Sequence, residues 1–416
     1  MPAAPRDVSR RTALGLIAGA AAFAAAPAAV DALPVRAVPL LRRGVNLFPW
    51  FSLTREYPAP RTDYPWPPFQ PDRPIPRIGD LMRLRRAGID FVRLPIDPGP
   101  FLGNAGAHRP QLLREVANAV DEILFSGLTP VVNLHVNTAT HHWNAQTLTA
   151  RADTHGFKLY MDFVAELAGL LADRRYSGTV LEPANEPPHG CSSAEWRRMQ
   201  DILLTAAASA APGLPLVATG ACGGMIAGLE ELSPIKTSSP LFYTVHFYEP
   251  YLFTHQGAKW MGDRMYHYIE DVPWPASAGR LKRTLAATRR RLEADARLGA
   301  TEREQIFAHA RDALSVYFEV SPDRWYVDRY LDRVVTWSDA NGVPARHIIL
   351  GEFGAIRPSS ISSADRADYV RDVRRSAEER GLPWAFWNLF DSMGMMHDDT
   401  RAFDPIMIDA LGLTAT

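Results

Sequence analysis

Cysteine is nearly missing: the 416 residues hold two, Cys191 and Cys222. Two thiols cannot form a four-ligand structural zinc site. Both come just after expected strands, in loops on the same face of the fold. An exported chain permits a disulfide between them, whereas folding in a reducing compartment before export would leave two free thiols, so both states stay open. An excess of charge of one sign is also missing: 45 Lys and Arg face 46 Asp and Glu, for a net charge of −1. That balance implies no strongly basic face, so nucleic acid is not an expected partner. Beyond the N-terminus no apolar run is long enough to span a bilayer. Internal repeats are absent, as is a linker toward a second domain.

The N-terminus carries the clearest local signal. Ser9-Arg10-Arg11-Thr12-Ala13-Leu14 precedes an alanine-rich apolar run from Ala13 to Ala29, and Ala26-Pro27-Ala28 offers a small-residue cleavage site. This is the pattern of a twin-arginine export signal. Pro27 interrupts the run and Asp31 breaks it, which argues against a permanent membrane helix. Residues 1–32 are therefore expected to be a signal peptide, with the mature chain starting near Ala29 to Leu33 in the periplasm or outside the cell. Residues 33–416 are expected to form one catalytic domain.

Apolar material is plentiful: 47% of residues are hydrophobic, including 10 Trp, 13 Tyr and 18 Phe. That is ample for a large core, and flat rings also suit the apolar faces of sugars. After the signal one pattern repeats: a short apolar strand, a loop, an amphipathic helix. Expected strands run over 43–47, 90–96, 130–135, 179–185, 214–219, 241–248, 348–352 and 383–388. Helices are expected over 78–87, 110–125, 157–172, 194–211, 326–341 and 364–380, with a short one after Asp404. Gly88, Gly127 and Gly381 close three of them. The rhythm is interrupted between Glu249 and Arg324, where aromatics precede a charged helical stretch from Arg280 to Phe318. Eight alternating strands predict an α/β fold of the (β/α)₈ TIM-barrel type, one domain with a long insertion after strand six.

In such a barrel the C-terminal ends of the strands form one ring, where catalytic side chains are mounted. Here those ends carry Arg93, His135, Asn185, Glu186, His246, Tyr248, Glu352 and Trp387. Pro187 stops any further ladder bonding beyond Asn185-Glu186. Two carboxylates in the ring, Glu186 and Glu352, are what cleavage of a glycosidic bond requires: one protonates the leaving oxygen, the other attacks the anomeric carbon or activates water.

Asn185-Glu186-Pro187, Val245-His246-Phe247-Tyr248 and Gly351-Glu352-Phe353-Gly354 resemble the strand-four, strand-six and strand-seven motifs of family-5 glycoside hydrolases, a cellulase family of retaining (β/α)₈ glycosidases. Arg93 in Val92-Arg93-Leu94-Pro95, His135 in Asn133-Leu134-His135 and Trp387 in Phe386-Trp387-Asn388 match its other motifs. The similarity runs from Gly44 to Asn388. It implies Glu186 as general acid/base and Glu352 as nucleophile. It implies Asn185 and His135 as ligands of sugar hydroxyls, Arg93 and Tyr248 as flanks of Glu352, His246 as a neighbour of Glu186, and Trp387 as the floor beneath the reacting sugar. A guanidinium beside Glu352 is expected to keep it ionised, and the ionised Glu352 to raise the pKa of Glu186. The expected substrate is a β-linked polysaccharide or oligosaccharide, with endo-β-1,4-glucanase activity first. The same mechanism on mannan, β-1,3-glucan or a glycolipid is second, and a non-catalytic carbohydrate-binding barrel is third. No cofactor or metal is expected, and the protein is expected to be a monomer.

Val136 and the glycine-rich loop Gly220–Gly228 depart from the family pattern. Tyr251 to Gly257 and Trp260 read as cleft wall. His141-His142 and the cluster Met393, Met395, Met396 and His397 resemble metal ligands, but packed loops are the preferred reading. Glu182 is preferred as a carboxyl satisfied within the core. Trp66, Trp143 and Trp274 are open between sugar platforms and packing.

Overall fold

The computed structural model describes residues 38–414, apart from 105, 107, 174–175, 177 and 358–362. The expected signal peptide lies outside the described residues. Eight parallel strands close into a barrel in chain order: β1 Arg43–Asn46, β2 Phe91–Ile96, β3 Thr129–Leu134, β4 Val180–Glu182, β5 Leu216–Thr219, β6 Leu241–His246, β7 Ile348–Phe353 and β8 Trp384–Phe386. β1 pairs with β8 to complete the ring. Main helices cover Ile78–Ala87, His108–Phe125, His155–Leu171, Ala194–Ala210, Arg324–Asn341 and Ser363–Glu379.

The strands read as near-continuous apolar runs because both faces are buried. Alternation then sorts the side chains. Phe91, Val131, Val180, Val217, Phe242, Ile349 and Ala385, one from each of β2 to β8, pack together with Leu41 as a plug inside the barrel. The ring of Phe91 fills the space that a side chain on Gly44 would need. Two residues further along these strands stand Arg93, Asn133, Glu182, Thr219 and Thr244, all buried. A polar layer thus lies on the apolar plug, facing the end where the chain leaves the strands for the loops.

β4 is shorter than expected. Pro183 has no N–H to donate, so regular pairing ends at Glu182. The chain still runs along the barrel wall, because the Asn185 amide donates to the Leu134 carbonyl at 2.9 Å. The expected charged helix over 280–318 is two helices, Leu281–Ala294 and Ala300–Val320. They break where the Asp295 carboxylate accepts from the Arg297 amide at 3.0 Å, a local turn that competes with the helix. Among the described residues no helix is long and apolar enough to cross a membrane.

Cys191 and Cys222 form a disulfide with their Cα atoms 4.7 Å apart. It joins the loop after β4 to the loop after β5. The second loop is glycine-rich for a packing reason: a Cβ on Gly228 would collide with the Ala221 carbonyl, and one on Gly220 with the Gly228 backbone. Backbone atoms cannot swing aside as a flexible side chain can. Gly228→Ala is expected to destabilise the protein by about 1–3 kcal/mol, the usual cost of overpacking. Urea unfolding monitored by tryptophan fluorescence would measure it.

Candidate active site

The site is built outward from Arg93, which is 1% exposed. Its Nε and Nη2 donate to the two oxygens of Glu182 at 2.7 and 2.8 Å. Its Nη1 donates to Glu352 Oε1 at 2.6 Å and to Asn46 Oδ1 at 3.0 Å. Nη2 also donates to Asn185 Oδ1 at 2.6 Å. One planar fork from β2 therefore fixes side chains from β1, β4, the loop after β4, and β7.

Glu352 reaches this position through an irregularity. The β6–β7 register runs Val245↔Leu350 and then His246↔Glu352, so Gly351 is an extra residue on β7. With Ile349 facing the plug, simple alternation would turn Glu352 outward; the bulge turns it in. Glycine suits the bulge, because Thr244 occupies the space that a Cβ at position 351 would take. The second oxygen of Glu352 accepts from Tyr248 Oη at 2.9 Å and lies 3.6 Å from His246 Nδ1. That same Nδ1 lies 2.8 Å from Glu186 Oε1. Glu186, His246 and Glu352 each place one such atom within 4.8 Å of the others.

Asn185 Nδ2 meets His135 Nε2 at 3.3 Å. The Trp387 ring stands 5.7 Å from the His135 ring and 5.2 Å from that of Phe48. All eight expected site residues are thus assembled at one mouth of the barrel. The side chain of Glu352 is 5% exposed and that of Glu186 is 43% exposed. Beside Glu186 and Asn185 a cavity of about 230 Å³ is lined by Ser52, Asp97, His135, Val136 and Asn137, among others.

Residues 79–392 match the profile of the cellulase family, glycosyl hydrolase family 5. The chain belongs to this family. Endoglucanase 3 of Fibrobacter succinogenes is 22% identical over 318 residues, covering 74% of this chain and 45% of that one. Cellodextrinase A of Ruminococcus flavefaciens is 24% identical over 225 residues, 53% of this chain and 62% of that one. The chain spans less than two thirds of either relative. Among solved structures, the cellulose synthase subunit Z of Clostridioides difficile superposes with a TM-score of 0.62 at 20% identity, covering 89% of this chain and 99% of that one. Thermotoga maritima Cel5A gives 0.62 and 20%, covering 89% and 97%, and has been solved with cellobiose and with mannotriose. These likenesses show the fold of the family.

The electrostatics of this family-5 site differ from the sequence expectation. Burial raises the pKa of Glu352 above the usual glutamate range, and His246 and Arg93 offset that only in part. Arg93 is already shared with Glu182, so its charge is divided. Desolvation against the barrel mouth pushes Glu186 up although its side chain is partly exposed, but the hydrogen bond and charge of His246, helped by Arg93, bring it below its usual value. His246 is raised despite burial, because both glutamates face it. The imidazole thus faces both carboxyls, 2.8 Å from Glu186 and 3.6 Å from Glu352. His135 is pushed down to about 3 by burial and by Arg93, so its ring is neutral. Three ligand-type atoms this close could suit a cation, but the fixed positive charge of Arg93 against Glu352 opposes one there.

Three residues of the site are poorly legible in the sequence. Asn46, at the end of β1, accepts from Arg93 and donates to the Gly351 carbonyl at 3.0 Å, which supports the bulge. A polar residue closing an apolar strand is its signal. Glu182 is the satisfied core carboxyl expected of it, but it also clamps the residue that holds Glu352. Asp97, raised to about 6 by burial, carries no motif. The remaining candidates are packing. Met393, Met395 and Met396 are buried, as is Trp274. Trp143 is 8% exposed, Trp66 stacks on His108, and His141 contacts Glu56.

Arg93→Ala would leave Glu182 buried without a counter-charge and Glu352 with His246 alone, at an expected cost of about 3–5 kcal/mol at neutral pH. The two carboxyls of the variant would bind protons more tightly folded than unfolded, so the deficit shrinks as pH falls; urea titrations at pH 7 and pH 4.5 would show it. His246→Gln removes the positive partner of Glu186, whose carboxyl is then expected to titrate higher, read by ¹³C NMR of labelled glutamate.

Proposed function

We propose that the chain is an exported retaining glycoside hydrolase that cleaves a β-linked polysaccharide, β-1,4-glucan first, by double displacement. One observation carries this reading: a carboxylate oxygen of Glu186 lies within 4.8 Å of one of Glu352, so the two carboxyls border the same gap at the barrel mouth. Glycosidic bond cleavage needs two such carboxyls, and the retaining pattern of the family selects double displacement here.

Glu352 is the nucleophile. It is buried, aimed by Arg93 and Tyr248, and both of its oxygens are engaged. Glu186 is the acid/base, on the solvent-facing side where a leaving sugar departs. In the first step Glu186 gives its proton to the glycosidic oxygen as Glu352 bonds to the anomeric carbon and the C–O bond breaks. In the second, Glu186 takes a proton from water, whose oxygen displaces Glu352. Formation of the ester removes the Glu352 charge, which leaves Glu186 free to stay ionised and act as base toward water. Trp387 is the floor under the reacting sugar, and Asn185 and neutral His135 bind its hydroxyls. Trp260, 58% exposed on the loop after β6, is a stacking platform for the leaving side.

The names of the relatives, an endoglucanase and a cellodextrinase, support a β-glucan substrate. The mannotriose complex of Thermotoga Cel5A favours mannan as the second reading. Export is supported by the Ser9–Leu14 motif and by a disulfide, which persists in an oxidising compartment.

Wild type is expected to hydrolyse carboxymethylcellulose with retention of anomeric configuration, read by proton NMR at early times. Glu186→Gln should lower kcat/KM on it by about 10²–10⁴-fold, the contribution of a placed general acid, and Glu352→Gln should lower it further. Equal activity in the three proteins would remove the two glutamates from their roles.

A further inference from the structure

The two carboxyls of the site are held very differently. Glu352 sits on a strand and is gripped by β2 and by Tyr248. Glu186 lies beyond the end of β4 and its side chain has one hydrogen-bond partner among the described residues, His246. The chain beyond Glu186 is a loop, Pro187 to Ser193, rather than a paired strand. That loop is laced to the loop after β5 at three points. Gly223 N donates to the Pro187 carbonyl at 3.3 Å, Cys222 N donates to the His189 carbonyl at 2.8 Å, and Cys191 is bonded to Cys222.

The second loop is shaped to receive them. Cys222, Gly223 and Gly224 have successive positive φ values of 58°, 61° and 74°. Cys222 is the one non-glycine residue of the three, in a conformation that side chains disfavour unless something holds them there. The turn brings Gly224 so close that a Cβ on it would lie 3.8 Å from Cγ of both Glu186 and His246. The next residue, Met225, pairs with His246. The turn therefore touches the acid, its hydrogen-bond partner and the acid's own loop.

We propose that the Cys191–Cys222 disulfide is a positioning element for Glu186, holding the acid/base in line with the leaving oxygen. The inference rests on the hydrolase reading above. Without the bridge, the loop keeps two backbone hydrogen bonds to the turn and the contacts of His189 with Thr149 and Ser193, but loses its covalent tie to Cys222, and the turn there is free to relax. The nucleophile, anchored on strands, does not depend on the bridge. The consequence is chemical rather than general: the steps that use Glu186 suffer, and the first step on a leaving group that needs no proton, which kcat/KM reads, does not. It also makes activity greatest where thiols are oxidised.

The test compares leaving groups. The double variant Cys191→Ala/Cys222→Ala and wild type are assayed by kcat/KM on carboxymethylcellulose, 4-nitrophenyl β-cellobioside and 2,4-dinitrophenyl β-cellobioside. The last departs without a proton, so its first step needs no acid. The variant is expected to lose about 10–100-fold on the first two, a share of what a placed acid supplies, and less than about twofold on the third. In a Glu186→Ala background, removing the cysteines should cost nothing more. Equal losses on all three substrates, no loss on any, or a full further loss without Glu186 would overturn the inference. If the variant does not fold, wild type treated with a reductant supplies the same comparison. Failure of the hydrolase reading looks different: wild type would cleave no glycoside, or Glu186→Ala would show no dependence on leaving group.

Discussion

The guanidinium of Arg93 touches four side chains at once, and the mouth of the barrel is arranged around that contact. A buried cation is costly unless its partners meet every N–H with good geometry. Glu182 takes two of these bonds, Glu352, Asn46 and Asn185 take the others, and none of the four is a sequence neighbour of Arg93. Because each bond has a fixed direction from a planar group, the fork works as a jig. It sets where β1, β4 and β7 present their last polar atoms. The apolar plug beneath supplies the low-dielectric floor that makes the jig stiff.

The same contact decides how protons are distributed. Glu182 takes two of the five bonds of the Arg93 fork, so Glu352 has only a share of its charge. Burial then leaves Glu352 higher than a simple arginine–glutamate pair would, and His246 becomes the group both glutamates compete for.

Beyond the ring, the decoration obeys a division between strand-held and loop-held parts. Glu352, Arg93 and His246 stand on the barrel wall. Glu186 and the residues after it stand on loops whose conformation comes from glycines, a disulfide and contacts between neighbouring loops. The helices of the 249–324 insertion pack on the barrel through apolar faces such as Ala310, Leu314 and Tyr317 and leave their charges to solvent. They enlarge the wall without entering the polar layer.

The eight strands, their order and the ring of polar ends were determined by the sequence alone. Buried parallel strands leave apolar runs, and a run that ends in Arg, His, Asn-Glu or Glu names the position of the rim. Sequence pattern over-extends strand four because Pro183 ends pairing while the chain continues in the same direction. It merges the charged insertion into one helix because a local Asp295 turn leaves little mark in periodicity. Three things were decided only in three dimensions. The bulge at Gly351 turns Glu352 inward against the alternation of its strand. The burial of Glu352 and the contact of His246 with Glu186 reverse the expected direction of the carboxyl titrations. The bridging of Cys191 to Cys222 depends on two loops meeting across a sequence separation of 31. Patterns in sequence report local periodicity and burial; distances between groups on different strands exist only once the barrel has closed.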